Sequence, residues 1–243
     1  MNKYQPTPLL PANLAFYASP VHECSYFTGR EAITLFPDPH APMGALVYSA
    51  LAETGFRRSG NFVYRPQCPA CRACIPARLP VAEFLSNRSQ RRAWQRNQDL
   101  SVTILPTEYH KEHYLLYRDY IQSRHTGGGM DVDGPSCYME FLASKWMETQ
   151  FIEFRQQDGR LLMVAVIDML ENGLSAVYTF FDPKEIRRSL GTYAVLWQIE
   201  EARRQQLPHV YLGYWIDQSP QMAYKKNFQP LEIYTHGQWH KQG

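Results

Sequence analysis

The stretch LSAVYTFFDPKEIRRSLGTYAVLWQIEEAR, Leu174–Arg203, decides the fold. Apart from Ser175, its first eight residues are apolar, β-branched or aromatic and read as a strand, Leu174–Phe181. Val195, Leu196, Ile199 and Ala202 then recur at helical spacing, which predicts a helix over about 192–206. Between the two lies RRSLGTY, Arg187–Tyr193, a small loop containing Gly191. Upstream, Asn172-Gly173 is a hairpin turn that joins Leu161–Leu170 to this strand. Phe151–Phe154 pairs with Leu161–Leu170 across Gln157-Asp158-Gly159. Downstream come a strand at His209–Trp215, a short helix near Met222–Asn227 and a last strand near Leu231–His236. The order strand, strand, strand, helix, strand, helix, strand predicts an α+β fold with a mixed sheet crossed by a central helix.

Farther out, a tyrosine-rich helix is expected from about Glu108 to Arg124, and another over Pro135–Glu148. The first 40 residues are irregular and rich in proline. A helix follows Pro42 with Met43, Val47, Ala50 and Leu51 on one face, and Gly55 ends it. Asn61–Arg65 reads as a short strand. Residues 86–98 read as a helix capped by Ser86 or Asn87. Leu100–Leu105 alternates like a strand that Pro106 ends. A boundary there divides the chain into residues 1–105 and 106–243.

The 243 residues are 44% hydrophobic and carry 25 Lys+Arg against 23 Asp+Glu, a net charge of +2. That excludes a disordered or fibrous chain. It also weighs against a bulk coater of nucleic acid, which is strongly basic, while leaving room for a local basic site. The longest apolar run, Leu161–Leu170, is interrupted by Asp168 and falls short of the about 20 residues a spanning helix needs. The first twenty residues hold four prolines and no signal-type apolar core, so a cytoplasmic protein without a membrane partner is expected. Five cysteines, three of them within seven residues, suit thiols or metal ligands in a reducing compartment better than a disulfide framework.

Three features could carry chemistry. In CPACRAC, Cys68, Cys71 and Cys74 are spaced to converge on one ion, and Cys24 could be a fourth ligand. The result would be a structural zinc site or an iron–sulfur cluster, the alternative being reduced, partly buried thiols. In RSQRRAWQR, a helix puts Arg88, Arg91, Arg92 and Arg96 on one face with no acidic residue between them. Such a face is either solvated or binds phosphate, for which Arg is suited, with Trp94 offering a stacking surface. In RRSLGTY, the start of a helix offers backbone amides to an anion. This is where acetyltransferases of the GNAT type hold a pyrophosphate, although the single Gly191 departs from their usual loop. Tyr178, Asp182, His125 and Lys225 are further polar residues at strand ends and in loops.

Together these segments resemble the aminoacyl-tRNA–protein transferases, the family of the eukaryotic arginyltransferases and the shorter bacterial leucyltransferases. The likeness runs over about residues 15–235. It rests on CSYFTGREA (Cys24–Ala32), GFRRSGNFVYRPQC (Gly55–Cys68), CRACIPARL (Cys71–Leu79) and SQRRAWQRN (Ser89–Asn97). In the second half it rests on YRDYIQSRH (Tyr117–His125), YTFFDP (Tyr178–Pro183), SLGTYAVLWQIEEAR (Ser189–Arg203) and YLGYWIDQSPQMAYKKNFQP (Tyr211–Pro230). The resemblance implies a GNAT-type catalytic domain behind a cysteine-bearing N-terminal domain. Phe27 stands where the eukaryotic enzymes have the second cysteine of a Cys-x-x-Cys pair, which weakens the case for metal.

The compact length and the CPACRAC form point to the leucyltransferase branch. Leucine would pass from Leu-tRNA to the α-amine of proteins beginning with Asp or Glu, and DNA would play no part. No small-molecule cofactor is required, because the ester is already activated. The resemblance raises Asp182, Tyr178 and His125 as catalytic-pocket residues. Arg78, and after it Arg65, would face the acceptor's carboxylate. Arg88, Arg91, Arg92, Arg96, Arg187, Arg188 and Gly191 would meet the tRNA. The rival readings are a coenzyme A-dependent N-acetyltransferase, an arginyl donor with the same acceptors, and a zinc-containing RNA-binding module without catalysis.

Overall fold

The computed structural model describes residues 14–124 and 134–242. The first strands are short: β1 (Phe16–Ala18), β2 (His22–Glu23), β3 (Glu31–Ala32) and β4 (Thr34–Pro37). Helix α1 (Ala45–Glu53) leads into the hairpin β5 (Arg57–Ser59) and β6 (Phe62–Pro66). Strands β1, β4, β6 and β5 form a small four-stranded sheet. The main sheet takes β7 (Ile75–Pro80), then, after α2 (Arg88–Arg96), β8 (Ser101–Pro106). Helices α3 (Lys111–Arg124) and α4 (Pro135–Leu142) precede β9 (Thr149–Arg155), β10 (Leu161–Leu170) and β11 (Gly173–Phe181). Helix α5 (Leu190–Arg204), β12 (His209–Trp215), β13 (Glu232–Thr235) and β14 (Gln238–Lys241) complete the chain.

The large sheet runs β14-β13-β7-β12-β11-β10-β9-β8. Only β11 and β12 pair in parallel; its other neighbours are antiparallel. This is the expected α+β class with a mixed sheet. The boundary expected at residue 105 does not separate two sheets, however. Strand β7 is inserted between β12 and β13, and β8 forms the far edge beside β9. Alternation had marked 100–105 as a strand, but alternation does not name the partner, and the partner lies across the proposed boundary.

Strand β10 is buried on both faces, which explains why its run is apolar throughout except for Asp168. Met163, Ala165 and Ile167 face a core shared with α5, where Leu190, Tyr193, Ala194, Leu196, Ile199 and Ala202 are buried. Val164 and Val166 face the opposite layer, built from Tyr117 and Ile121 of α3 and Tyr138 and Leu142 of α4. Helix α2 packs on α5 and is closed by a capping box: the Asn87 side chain accepts from the Gln90 amide while the Gln90 side chain accepts from the Asn87 amide.

Two expected elements end differently. The helix expected over 135–148 stops at Leu142, because Ala143 turns extended and the Lys145 amide donates to Asn61 Oδ1 at 3.0 Å. The single last strand is a hairpin, β13–β14, turned at His236-Gly237, both at positive φ. Gly60, at φ +57, turns β5 into β6, and a Cβ there would stand 2.0 Å from the Glu140 carbonyl oxygen.

Candidate active site

Strands β11 and β12 pair only through Gly173–Ser175 and His209–Tyr211. At this base Gly173 passes so close that a Cβ would stand 2.5 Å from the His209 carbonyl oxygen. Beyond it each strand bulges. Val177 is the extra residue opposite Val166–Ile167 of β10. Leu212 is the extra residue where β12 follows β7, with Gly213 beside it at φ +76. Bulges bend strands, and here the pairing stops. A fork opens in the sheet between Ala176–Phe181 and Gly213–Trp215. A short 3-10 helix, Ala223–Asn227, packs on β12, and Gly191 at the start of α5 faces the Phe181 ring.

Two cations fill the crotch of this fork. From β5, Arg57 donates through Nη1 to Ser175 Oγ at 3.1 Å and through Nη2 to the Ala176 carbonyl at 2.5 Å. Gly213 makes room for it: a Cβ there would lie 3.3 Å from Arg57 Nε. Lys225 donates from Nζ to the Tyr214 carbonyl at 2.5 Å and faces Met222 Sδ at 3.4 Å. Arg57 is 8% and Lys225 5% exposed. Among the described residues neither has a carboxylate within ion-pair distance. Burial, and after it the Arg57 charge, pushes the Lys225 ammonium down to about 7. Burial also raises the hydroxyls of Tyr48, Tyr64 and Tyr214, so these neighbours of Arg57 are neutral.

On β11, Tyr178 belongs to an aromatic wall with Tyr117 and Tyr120 of α3 and Phe141 of α4. Burial raises its hydroxyl, which has no hydrogen-bond partner among the described residues. Asp182, directly after the end of β11, is engaged in a turn: its Oδ1 accepts from the Lys184 amide at 2.9 Å, and Oδ2 lies 3.9 Å from Arg160. His125 lies outside the described residues.

Arg78, the first candidate for an acceptor carboxylate, already holds two carboxylates of its own chain. Its Nε donates to Glu232 at 2.7 Å and its Nη1 to Glu53 at 2.9 Å, with the guanidinium 4.3 Å from the Trp239 ring. The guanidinium expected to face an acceptor carboxylate is thus engaged by Glu53 and Glu232 of its own chain. Spacing in ARL could not show that β7 runs between α1 and β13.

Arg65 is placed differently. It donates to the Thr54 carbonyl at 2.8 Å, stacks over Phe56 and has no acidic partner among the described residues. It lines a cavity of about 390 Å³ with Arg72, the residues Cys68, Cys71 and Cys74, and His236. Among the described residues no Asp or Glu lines it. Its lining residues Ile75 and Pro76 pair with Trp215 and Tyr214 of β12, which sets the cavity beside the fork, and Tyr64 packs on Tyr214 there with ring centroids 6.1 Å apart.

Cys24, Cys68, Cys71 and Cys74 are neighbours. Burial and then the other three sulfurs push the Cys74 thiol up to about 12. Yet among the described residues no three His, Cys, Asp or Glu side chains stand at the spacing of one shared ion. The donor set as arranged does not fit a metal centre.

The two basic segments do come together. Arg96 donates to the Arg187 carbonyl, and Asn97 Nδ2 donates to the Arg188 carbonyl at 2.8 Å, joining α2 to the start of α5. Arg88, Arg91, Arg92, Arg96 and Arg187 are exposed and have no acidic partner among the described residues. Arg188 is paired with Asp99 at 2.8 Å, and Trp94 packs on Tyr193, so neither is a free contact.

A family model described as the arginine-tRNA-protein transferase C terminus matches residues 112–235, and its N-terminus counterpart matches residues 22–92. The chain belongs to this family. It is therefore an aminoacyl-tRNA–protein transferase, acting on aminoacyl-tRNA and on protein. The acetyltransferase and noncatalytic readings fall away. It is 54% identical over 93% of its length to a protein of Nitrosococcus oceani named aspartate/glutamate leucyltransferase, covering 95% of that protein. A protein of the same name from Thiobacillus denitrificans is 50% identical over 93% of this chain and 94% of its own. Among solved structures, L-PGS from Bacillus licheniformis matches 69% of this chain and 49% of its own at 9% identity, with a TM-score of 0.46. No helix among the described residues is long and apolar enough to cross a membrane.

Arg57 and Arg72 escaped the sequence reading as site residues, and Lys225 was noted there only as a polar residue without a role. Arg57 sits in GFRRSG beside an arginine of opposite fate, Lys225 beside a second lysine, and Arg72 between two cysteines. Only tertiary structure separates them from ordinary surface cations.

Proposed function

We propose that this transferase moves leucine from Leu-tRNA to the N-terminal α-amine of proteins beginning with Asp or Glu. The observation that carries this is the match, at about 50% identity along 93% of the chain, to relatives named for that acceptor and that donor residue. The reaction is aminolysis. The acceptor's α-amine attacks the ester carbonyl, an amide forms, and the terminal ribose hydroxyl leaves. An α-amine of pKa about 7.7–8.0 is neutral to roughly a fifth near pH 7.3, so its deprotonation is a small part of the barrier. Positioning and the tetrahedral oxyanion are the larger demands. No cofactor is needed, and the working compartment is the cytoplasm.

The acid-free cavity beside the fork suits the acceptor's first residue. Its volume admits one or two residues, and Arg65 and Arg72 supply forked donors for a side-chain carboxylate. The joined face of α2 and Arg187 lies beside the start of α5 and suits the acceptor stem. The test is incorporation of labelled leucine from Leu-tRNA into peptides beginning with Asp, Glu or Ala, with Arg-tRNA in parallel. Incorporation into the Asp and Glu peptides from Leu-tRNA is expected. No incorporation into any peptide overturns the reading, and incorporation from Arg-tRNA alone overturns the donor. Arg72→Ala and Arg65→Ala should narrow the preference for Asp and Glu over Ala about tenfold while leaving tRNA affinity unchanged.

A further inference from the structure

The fork holds more positive charge than its architecture needs. Two strand carbonyls, Ala176 and Tyr214, lose their partners where β11 and β12 part, and Arg57 and Lys225 satisfy them. A neutral amide could do that as well. What a cation adds is charge, and a buried charge without a counter-ion is costly unless something anionic arrives. Every other deeply buried cation in the described residues has its acid: Arg58 has Asp168, and Arg78 has Glu53 and Glu232. Arg57 and Lys225 have none. Arg57 is held by β5, β11 and the space left by Gly213; Lys225 is held by β12 and its own 3-10 turn. The other titratable groups around the pair are the neutral tyrosines Tyr48 of α1, Tyr64 of β6 and Tyr214 of β12.

Resting on the leucyl-transfer reading, we propose that Lys225, with Arg57 behind it, is a catalytic residue that holds the oxyanion of the tetrahedral intermediate. When the acceptor nitrogen bonds to the ester carbon, the carbonyl π pair moves onto oxygen. That oxygen takes the N–H of Lys225 that neither Tyr214 nor Met222 uses. Collapse of the intermediate returns the pair to the carbonyl and breaks the bond to the ribose oxygen. The proton lost by the attacking nitrogen ends on that oxygen, so the products are an amide and a hydroxyl. Lys225 keeps its proton throughout and acts by charge. Burial and the Arg57 charge lower its proton affinity, and a developing oxyanion beside it would raise it again.

The test compares wild type with Lys225→Met and Lys225→Arg in single-turnover leucyl transfer across pH 6–9. Melting and Leu-tRNA affinity are measured alongside. Lys225→Met, which keeps the length, should slow transfer about 100-fold at saturating substrates and shift tRNA affinity less than threefold. Lys225→Arg should keep about a tenth or more of the rate and lose the fall in kcat/KM above neutral pH, because arginine does not titrate there. A Lys225→Met rate within threefold of wild type overturns the proposal. So does Lys225→Arg being as slow as Lys225→Met while melting like wild type. If Lys225→Met does not fold, the wild-type profile decides: no decline in kcat/KM above neutrality overturns the assignment. Inactivity of the wild type would instead strike the leucyl-transfer reading itself.

Discussion

Arg57 and Arg58 are neighbours on one three-residue strand, both buried, and they have opposite lives. Alternation along β5 sends them to opposite faces. Arg58 meets Asp168 of β10 through Nε and Nη2, each at 2.6 Å, and also donates to Thr149 Oγ1 and the Leu142 carbonyl at 3.0 Å. Every charge there has its counter-charge, and the pair ties the small sheet to the large one. Among the described residues Arg57 donates only to a hydroxyl and a carbonyl. The lesson is that burial alone does not mark a functional cation; burial without an acid does.

The comparison breaks most visibly at Arg58. Arg58→Met strands the Asp168 carboxylate in the interior and should destabilise the fold by about 3–5 kcal/mol. Urea unfolding measures this. A loss below about 1 kcal/mol would mean that Asp168 finds other partners. Arg57→Gln should read the other way. It can still donate to Ser175 or the Ala176 carbonyl, so stability should fall by only about 1 kcal/mol. Leucyl transfer should fall about 100-fold, since the field at the fork is lost. If Arg57→Gln unfolds the protein as Arg58→Met does, the two arginines do not differ in kind.

Nothing in GFRRSG distinguishes these two arginines, which shows where sequence reading reaches its limit. Periodicity, the Asn-Gly turn and the Asn87 cap are local, and they place β10, β11, α2 and α5 to within a few residues. The joining of α2 to Arg187 could be anticipated in part, because both segments are basic. The pairing of β7 with β12 and β13 is not local, and it decides that Arg78 is neutralised. The bulges at Val177 and Leu212 are equally invisible in a run of apolar residues, yet they make the fork. Charges were legible as charges; whether each had a partner depended on contacts more than a hundred residues away in sequence for Arg57, Arg58 and Arg78.

The exposed arginines of α2 are a third case: without acids, but solvated. They should contribute little to stability and much to the salt dependence of tRNA binding. Four phosphate contacts predict an affinity loss of roughly 100-fold between 50 and 200 mM salt. Replacing Arg92 by Ala should lower the slope of log affinity against log salt by about one. Melting should be unchanged. An unaltered slope would return this face to the solvent.

A dependence on pH separates stability from activity at one residue. Lys225 has its proton affinity lowered by folding, from the ordinary lysine range to about 7. Between those limits the unfolded chain binds more protons than the folded one, so stability rises with pH, by at most about 1.4 kcal/mol per unit. The compensation is complete above the unfolded pKa and is lost as pH falls through the folded one. Activity has the opposite sign, because the ammonium that holds the oxyanion disappears over the same range. From pH 7 to 9 the wild-type protein should therefore become more resistant to urea while kcat/KM declines past its optimum. Lys225→Met should lose that part of the stability slope, and Lys225→Arg should lose the decline in kcat/KM. Stability and activity falling together would mean that the charge at the fork serves the fold, as it does at Arg58.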